Sequence, residues 1–117
     1  MMTAIAMGKI AADGTILKAS PGITISTTIS QGNGPGIGYT VTLPDRLVKD
    51  ANYIVQLTPE NYGEDGPDYV VTSIATRYQS INGFEVIIWA DRFQTLPGDN
   101  TIVSVQSDWH FVIYDIT

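Results

Sequence analysis

His110 is the only histidine of the 117-residue chain, so any chemistry that needs an imidazole has one candidate. A Ser-His-Asp relay requires a serine held beside that histidine. Ser104 and Ser107 are near His110 in the sequence, but closeness along a strand does not position a nucleophile. The absence of cysteine also disfavours a transition-metal site. We therefore expect no enzymatic activity and no cofactor, and we expect His110 to pack within the fold or to face another subunit.

Four carboxylates crowd one polar loop: Glu60, Glu64, Asp65 and Asp68. Calcium prefers several oxygen ligands, but the spacing here does not match an Asp-x-Asp-x-Asp-Gly loop. A solvated acidic loop is therefore favoured, and the presence of a Ca²⁺ ion within residues 60–68 stays open. Glycoside hydrolysis would need one of these carboxylates about 5–9.5 Å from a second, such as Asp91 or Asp99, across a cleft. Nothing in the sequence shows that separation, so a small hydrolase fits least.

Aromatic and polar side chains occur together in the loops and suggest surface recognition. Aromatic rings stack on the apolar face of a pyranose, while amide and carboxylate groups bind its hydroxyls. The same composition suits contacts with proteins, and loop aromatics also pack against their own domain. The ligand-binding candidates are Tyr62, Arg92, Phe93, Asn61, Asp99 and Asn100.

The charge balance excludes several classes of partner. Formal net charge is −6, and only six Lys and Arg residues occur, scattered along the chain. Nucleic-acid binding depends on clustered basic residues, and anionic membrane surfaces also attract them. No apolar run approaches the roughly 20 residues of a membrane span, and the start lacks the pattern of a signal peptide. We therefore expect neither nucleic-acid binding nor membrane insertion.

Alternation of apolar and polar residues recurs along the chain, with turn signals at the spacing typical of sandwiches and barrels. Asp13-Gly14 and Asn82-Gly83 are two of these turn signals. Residues 45–50 are the one segment whose pattern allows a helical turn, and they are too short for a stable helix. The sequence predicts one all-β domain over residues 1–117, with residues 1–4 as a possible linker or expression remnant. Its expected fold is an antiparallel two-sheet β-sandwich, jelly-roll-like, with about eight or nine strands.

The last strand is bulky on both faces. Trp109, Phe111 and Ile113 point one way, and His110, Val112 and Tyr114 point the other. The segment from Glu85 to Trp89 has the same property. A two-sheet sandwich buries one face of each sheet, so the second apolar face needs a cover, either another subunit or the chain's own loops. The candidates for a subunit interface are His110, Val112, Tyr114 and Trp89.

Five segments carry a resemblance through their order and spacing: residues 6–15 (AMGKIAADGT), 38–43 (GYTVTL), 52–58 (NYIVQLT), 83–86 (GFEV) and 108–114 (DWHFVIY). Together they resemble the C-terminal β-sandwich domains of bacteriophage tail fibres and related receptor-binding proteins. The pattern is also similar to the trimeric jelly rolls of the C1q/tumour-necrosis-factor type and of H-type lectins.

The resemblance implies a homotrimer at the tip of a tail fibre, in the virion or outside the cell. Such a domain would bind a bacterial surface glycan or protein during host attachment. The resemblance assigns no binding residue to this chain, because no sugar-binding or metal-binding motif of those families matches it position by position. It also stays open whether the domain binds the receptor or only trimerises or caps the fibre. The alternative function is a secreted, monomeric carbohydrate-binding module without enzymatic activity.

Overall fold

The computed structural model describes residues 2–29, 37–60, 69–92 and 102–116. These residues form strands and turns, and they include no helix. The strands are β1 (Met2–Ile10), β2 (Ile16–Ala19), β3 (Thr24–Ile29), β4 (Ile37–Thr42), β5 (Ile54–Pro59), β6 (Tyr69–Ser80), β7 (Gly83–Arg92), β8 (Ile102–Ser104) and β9 (Trp109–Ile116).

The strands pair antiparallel in two sheets, which confirms the predicted all-β sandwich. The β9 sheet has the order β2-β1-β9-β5. The β7 sheet has the order β3-β4-β7-β6, with β8 paired to β7. The chain crosses from one sheet to the other after β2, β4, β5 and β8. Residues 2–4, set apart in the sequence as a possible remnant, begin β1 and pair with β9.

The turn residues explain the hairpins. Gly14 has φ +92°, a conformation that glycine adopts without a steric penalty, and the Asp13 carboxylate accepts a hydrogen bond from the Thr15 amide at 2.9 Å. The second hairpin turns one residue earlier than its Asn-Gly dipeptide suggests. Ile81 and Asn82 form the turn, and Gly83 opens β7 with φ +150°. Residues 45–50 form bends and turns rather than the helical turn that the sequence allowed.

The core lies between the two sheets and is rich in aromatic rings. Trp109 and Phe111 of β9 are almost completely buried, as the alternation predicted. The Trp109 ring lies 5.3 Å from Tyr39 and 5.6 Å from Phe111, measured between centroids. Phe84 of the opposite sheet meets Phe111 edge to face at 5.8 Å. These rings join the inner faces of the two sheets.

Buried tyrosine hydroxyls tie loops to the core. The Tyr39 hydroxyl donates to the Ala12 carbonyl at 2.6 Å and accepts from the Ser107 amide at 3.3 Å. The Tyr53 hydroxyl donates to the carbonyls of Ser80 and Gly83, at 2.7 and 3.0 Å. Each bond satisfies a polar group that would otherwise be costly to bury. The bonds from Tyr53 fix the β6–β7 turn against the start of β5.

Candidate functional site

The outer face of the β9 sheet points away from the core. Directly paired residues of an antiparallel ladder share a face, so the pairing identifies its members. Three rows cross it: Ala4, Tyr114 and Ile54; then Met7, Val112 and Gln56; then Lys18, Lys9, His110 and Thr58. One end of this face is therefore mainly apolar, and the other end is charged.

The apolar end is exposed to solvent. We call it the apolar strip and define it by Met2, Met7, Ile54, Val112 and Tyr114. Met7 is 55% exposed and Met2 53%, while Val112 and Tyr114 are half-buried. Single exposed apolar residues are ordinary, but a contiguous group of them marks a contact surface.

A shallow groove lies where the apolar strip meets the charged row. Its cavity volume is about 390 Å³, and its lining includes Met7, Lys9, Lys18, His110 and Val112. The Glu60 carboxylate approaches two side chains of the charged row. Its Oε1 is 3.1 Å from Lys9 Nζ and 3.6 Å from His110 Nδ1. Exposed ion pairs contribute only about 0–1 kcal/mol to stability, so this cluster shapes the surface more than it holds the fold.

Ser107, considered above as a nucleophile beside His110, is completely buried. Its hydroxyl donates to the main-chain carbonyls of Glu60 and Asp108. Its amide donates to the Tyr39 hydroxyl at 3.3 Å. These bonds hold the chain just before β9 in place, so Ser107 has a structural role. The partner that the structure gives the His110 ring is the carboxylate of Glu60.

The structure separates the four predicted interface residues. His110, Val112 and Tyr114 lie together on the outer face of the β9 sheet. Trp89 lies on the outer face of the β7 sheet, opposite in the sandwich, because its neighbours Ile88 and Ala90 point into the core. Trp89 therefore cannot belong to one continuous patch with the other three.

The predicted loop residues fall outside the described part of the chain. This holds for Tyr62, Phe93, Asn61, Asp99 and Asn100, and for Glu64, Asp65 and Asp68 of the possible calcium loop. For Arg92 only the backbone is described, at the end of β7, and for Asp91 likewise. The ligand-binding prediction for these loops stays a prediction.

The sequence did not single out Met2, Met7 or Ile54 as members of the apolar strip. The alternation of β1 does place Met7 on the face opposite Ala6 and Gly8, and this signal was available. What the sequence lacked was the pairing of β1 with β9, which sets Met7 beside Val112. Strand partners distant in sequence cannot be read from the periodicity of either strand.

Among residues 2–29, 37–60, 69–92 and 102–116, no three His, Asp or Glu side chains are grouped as metal ligands would be. The same residues contain no helix long and apolar enough to cross a membrane. Comparison with protein-family models, with curated proteins and with solved structures finds no match to this chain.

Proposed function

We propose that this chain is a non-enzymatic structural domain of a phage or prophage virion, the homotrimeric tip of a tail fibre that attaches to a glycan on the bacterial surface. The apolar strip on the outer face of the β9 sheet carries the proposal. The two sheets bury one face each against the other, so the described residues supply no further layer over the outer face of the β9 sheet. A second copy of the chain would cover it and remove Met2, Met7 and Ile54 from water.

The contrast between the two outer faces supports association through the β9 sheet. Thr24, Ser26, Thr40 and Thr42 give the outer face of the β7 sheet a hydroxyl-rich region near β3 and β4. A hydroxyl-rich surface is well solvated by water, whereas burial of the apolar strip lowers the free energy of the protein. Most homo-oligomers have closed symmetry, and a trimer around one axis presents the same ligand-binding surface three times.

The charged end of the groove also favours contact with another copy. Lys9 and Lys18 line it in a chain whose formal net charge is −6. Among the described residues, Lys18 has no carboxylate within ion-pair distance, while Lys9 shares Glu60 with His110. A carboxylate of a neighbouring copy that came to lie beside this cationic edge would form favourable ion pairs across the interface.

Sedimentation equilibrium or multi-angle light scattering tests the assembly. The expected mass is three times the 12.7 kDa of one chain. Val112→Lys should shift the protein to monomer, because it places a charge in the middle of the apolar strip. Ser26→Lys on the other sheet is the matched control and should leave the mass unchanged. A wild-type monomer at micromolar concentration would refute the proposal, provided that circular dichroism shows a folded sheet protein.

The second candidate is a secreted, monomeric carbohydrate-binding module. The open groove of about 390 Å³ favours it, since a single copy leaves this groove accessible. A monomeric mass combined with binding on a glycan array would support it. Loss of that binding in Tyr62→Ala or Phe93→Ala would place its ligand at the loops.

A further inference from the structure

Two hollows lie side by side on the outer face of the β7 sheet. The first has a volume of about 200 Å³ and is lined by Ala75, Thr76, Arg77, Ile87 and Trp89. The second has a volume of about 190 Å³, and its lining includes Thr40, Thr42, Tyr78 and Glu85. Trp89 therefore borders the first hollow and Tyr78 borders the second, where Phe84 also contributes to the lining and Thr40 and Thr42 add hydroxyl groups.

An ion pair separates the hollows. Arg77 of β6 pairs directly with Glu85 of β7, and Arg77 Nη2 lies 3.6 Å from Glu85 Oε1. Arg77 lines the first hollow and Glu85 lines the second. Both side chains are partly buried, at 31% and 18% exposure, so they are held in place but remain accessible to a ligand. The guanidinium donates hydrogen bonds and the carboxylate accepts them.

Tyr78 combines an unusual backbone conformation with a highly exposed side chain. Its φ is +53°, in the left-handed region that non-glycine residues seldom adopt, and its exposed fraction is 75%. It lies within the register shift between Arg77 and Ser80, where β6 bulges. The Arg77 guanidinium carbon is 5.2 Å from the centroid of the Tyr78 ring. Left-handed backbone at a non-glycine residue costs free energy, and such outliers are common at ligand sites.

We infer that this surface binds a neutral oligosaccharide, with Trp89 and Tyr78 as stacking rings and the Arg77–Glu85 pair binding hydroxyls between them. The inference rests on the proposed receptor-binding function and names its ligand class and its site. Sugar hydroxyls both donate and accept hydrogen bonds, so one donor group and one acceptor group side by side suit them. The pair has no net charge, and an ionic ligand would have to compete with one of its members.

The length of the site indicates more than one sugar ring. Glu85 and Trp89 are four residues apart on β7, which at about 3.3 Å per residue gives roughly 13 Å. A single pyranose ring does not cover that distance. The ligand is therefore an oligosaccharide that lies along β7, with one ring on Trp89 and another near Tyr78.

The location is compatible with the proposed assembly. The two hollows are on the β7 sheet, whereas the apolar strip is on the β9 sheet, on the opposite side of the sandwich. Burial of the apolar strip between copies thus leaves the hollows accessible. Three copies would present three equivalent sites, which raises the avidity for a repetitive surface glycan.

A printed array of neutral and acidic bacterial oligosaccharides, probed with the full chain, tests the inference. The neutral compound with the strongest signal is then titrated in solution by calorimetry. Tyr78→Asn removes the ring while keeping a residue that tolerates left-handed backbone, and Trp89→Phe and Trp89→Ala shorten the other stacking surface. We expect Tyr78→Asn and Trp89→Ala each to weaken binding about tenfold or more, as loss of a central aromatic contact does. Trp89→Phe should have a smaller effect.

Ser26→Ala, on the same face but outside both hollows, is the matched control and should bind as the wild type does. Urea unfolding of each variant separates lost binding from lost folding. Tyr78→Asn should unfold at the same or a higher urea concentration, since it relieves backbone strain. Absence of any neutral ligand on the array overturns the inference, and so does binding that tolerates both Tyr78→Asn and Trp89→Ala.

The two proposals fail in different measurements. A trimeric mass without neutral-glycan binding refutes the sugar site and leaves the assembly standing. A monomer whose glycan binding depends on Trp89 and Tyr78 refutes the assembly and supports the site. Binding of acidic compounds only would also refute the site on the β7 sheet.

Discussion

Replacement of Trp109 by alanine should lower the free energy of unfolding by about 3–5 kcal/mol, the usual range for truncation of a buried aromatic residue. Trp109 is completely buried between Tyr39 and Phe111. An aromatic side chain buries about 150–250 Å², which at roughly 25 cal/mol per Å² corresponds to about 4–6 kcal/mol. Trp109 Nε1 has no hydrogen-bond partner within the described residues. Its lost solvation opposes folding by about 1–3 kcal/mol, so we expect the net loss near the lower end of the range.

Urea unfolding followed by far-UV circular dichroism measures this loss. Fluorescence is unsuitable because the variant removes one of the two tryptophans. Protein concentration must be held fixed, since self-association stabilises the folded state. Trp109→Phe is the matched variant, because it keeps a ring in the core and removes the unpartnered N–H. Its free energy of unfolding should therefore fall much less than that of Trp109→Ala. A loss below about 1 kcal/mol for Trp109→Ala, or equal losses for the two variants, would refute the reasoning.

Two further predictions concern the packing of β1 and the hydroxyl of Tyr53. Gly8→Ala should lower the free energy of unfolding by about 1–3 kcal/mol, because a Cβ at this position would lie 2.6 Å from Cε1 of Phe111. Gly38→Ala is the control: the nearest atom to its Cβ would be 3.2 Å away, so its loss in the same urea titration should be smaller. An equal loss for both glycines would show that the Phe111 ring moves aside freely. Burial raises the pKa of Tyr53 to about 12, whereas in the unfolded state this pKa has its ordinary value near 10. Between these two pH values the folded state keeps the hydroxyl proton and the unfolded state loses it. The stability from Tyr53 is therefore complete below pH 10 and falls as pH rises towards 12, and Tyr53→Phe should flatten this part of a plot of unfolding free energy against pH. Parallel curves for wild type and variant would contradict that assignment.

The faces of β9 and β7 were predictable because alternation is a local property. Trp109 and Phe111 had to share one face whichever strands lay beside them, and the structure places both in the core. The sheet to which each strand belongs is a long-range property. Trp89 and His110 both looked like residues on a second apolar face, and only the strand order shows that they lie on opposite sides of the sandwich.

The proposed sugar site could not be predicted from the sequence, for a related reason. A regular two-residue turn at Ile81 and Asn82 would set Tyr78 opposite Glu85. The bulge in β6 shifts the register, so that Arg77 pairs with Glu85 and Tyr78 leaves the ladder. The inserted residue belongs to no fixed sequence motif outside glycine-containing bulges. Periodicity alone therefore predicts a strand over this segment and does not indicate the proposed roles of Arg77 and Tyr78.

The pairing of β1 with β9 determines how the domain would respond to mechanical load. Met2 and Ile116 are direct partners, so the two ends of the described chain meet at the same end of the same sheet. Tension applied between these ends acts along the interstrand hydrogen bonds, which in an antiparallel pair run perpendicular to the strands. The ladder would then open one bond at a time, from the Met2–Ile116 end towards Ile10 and Trp109, at low force. Tension between one end and the proposed site on the β7 sheet must instead break the packing between the sheets, so the domain should resist pulling through that site better than pulling through its two ends.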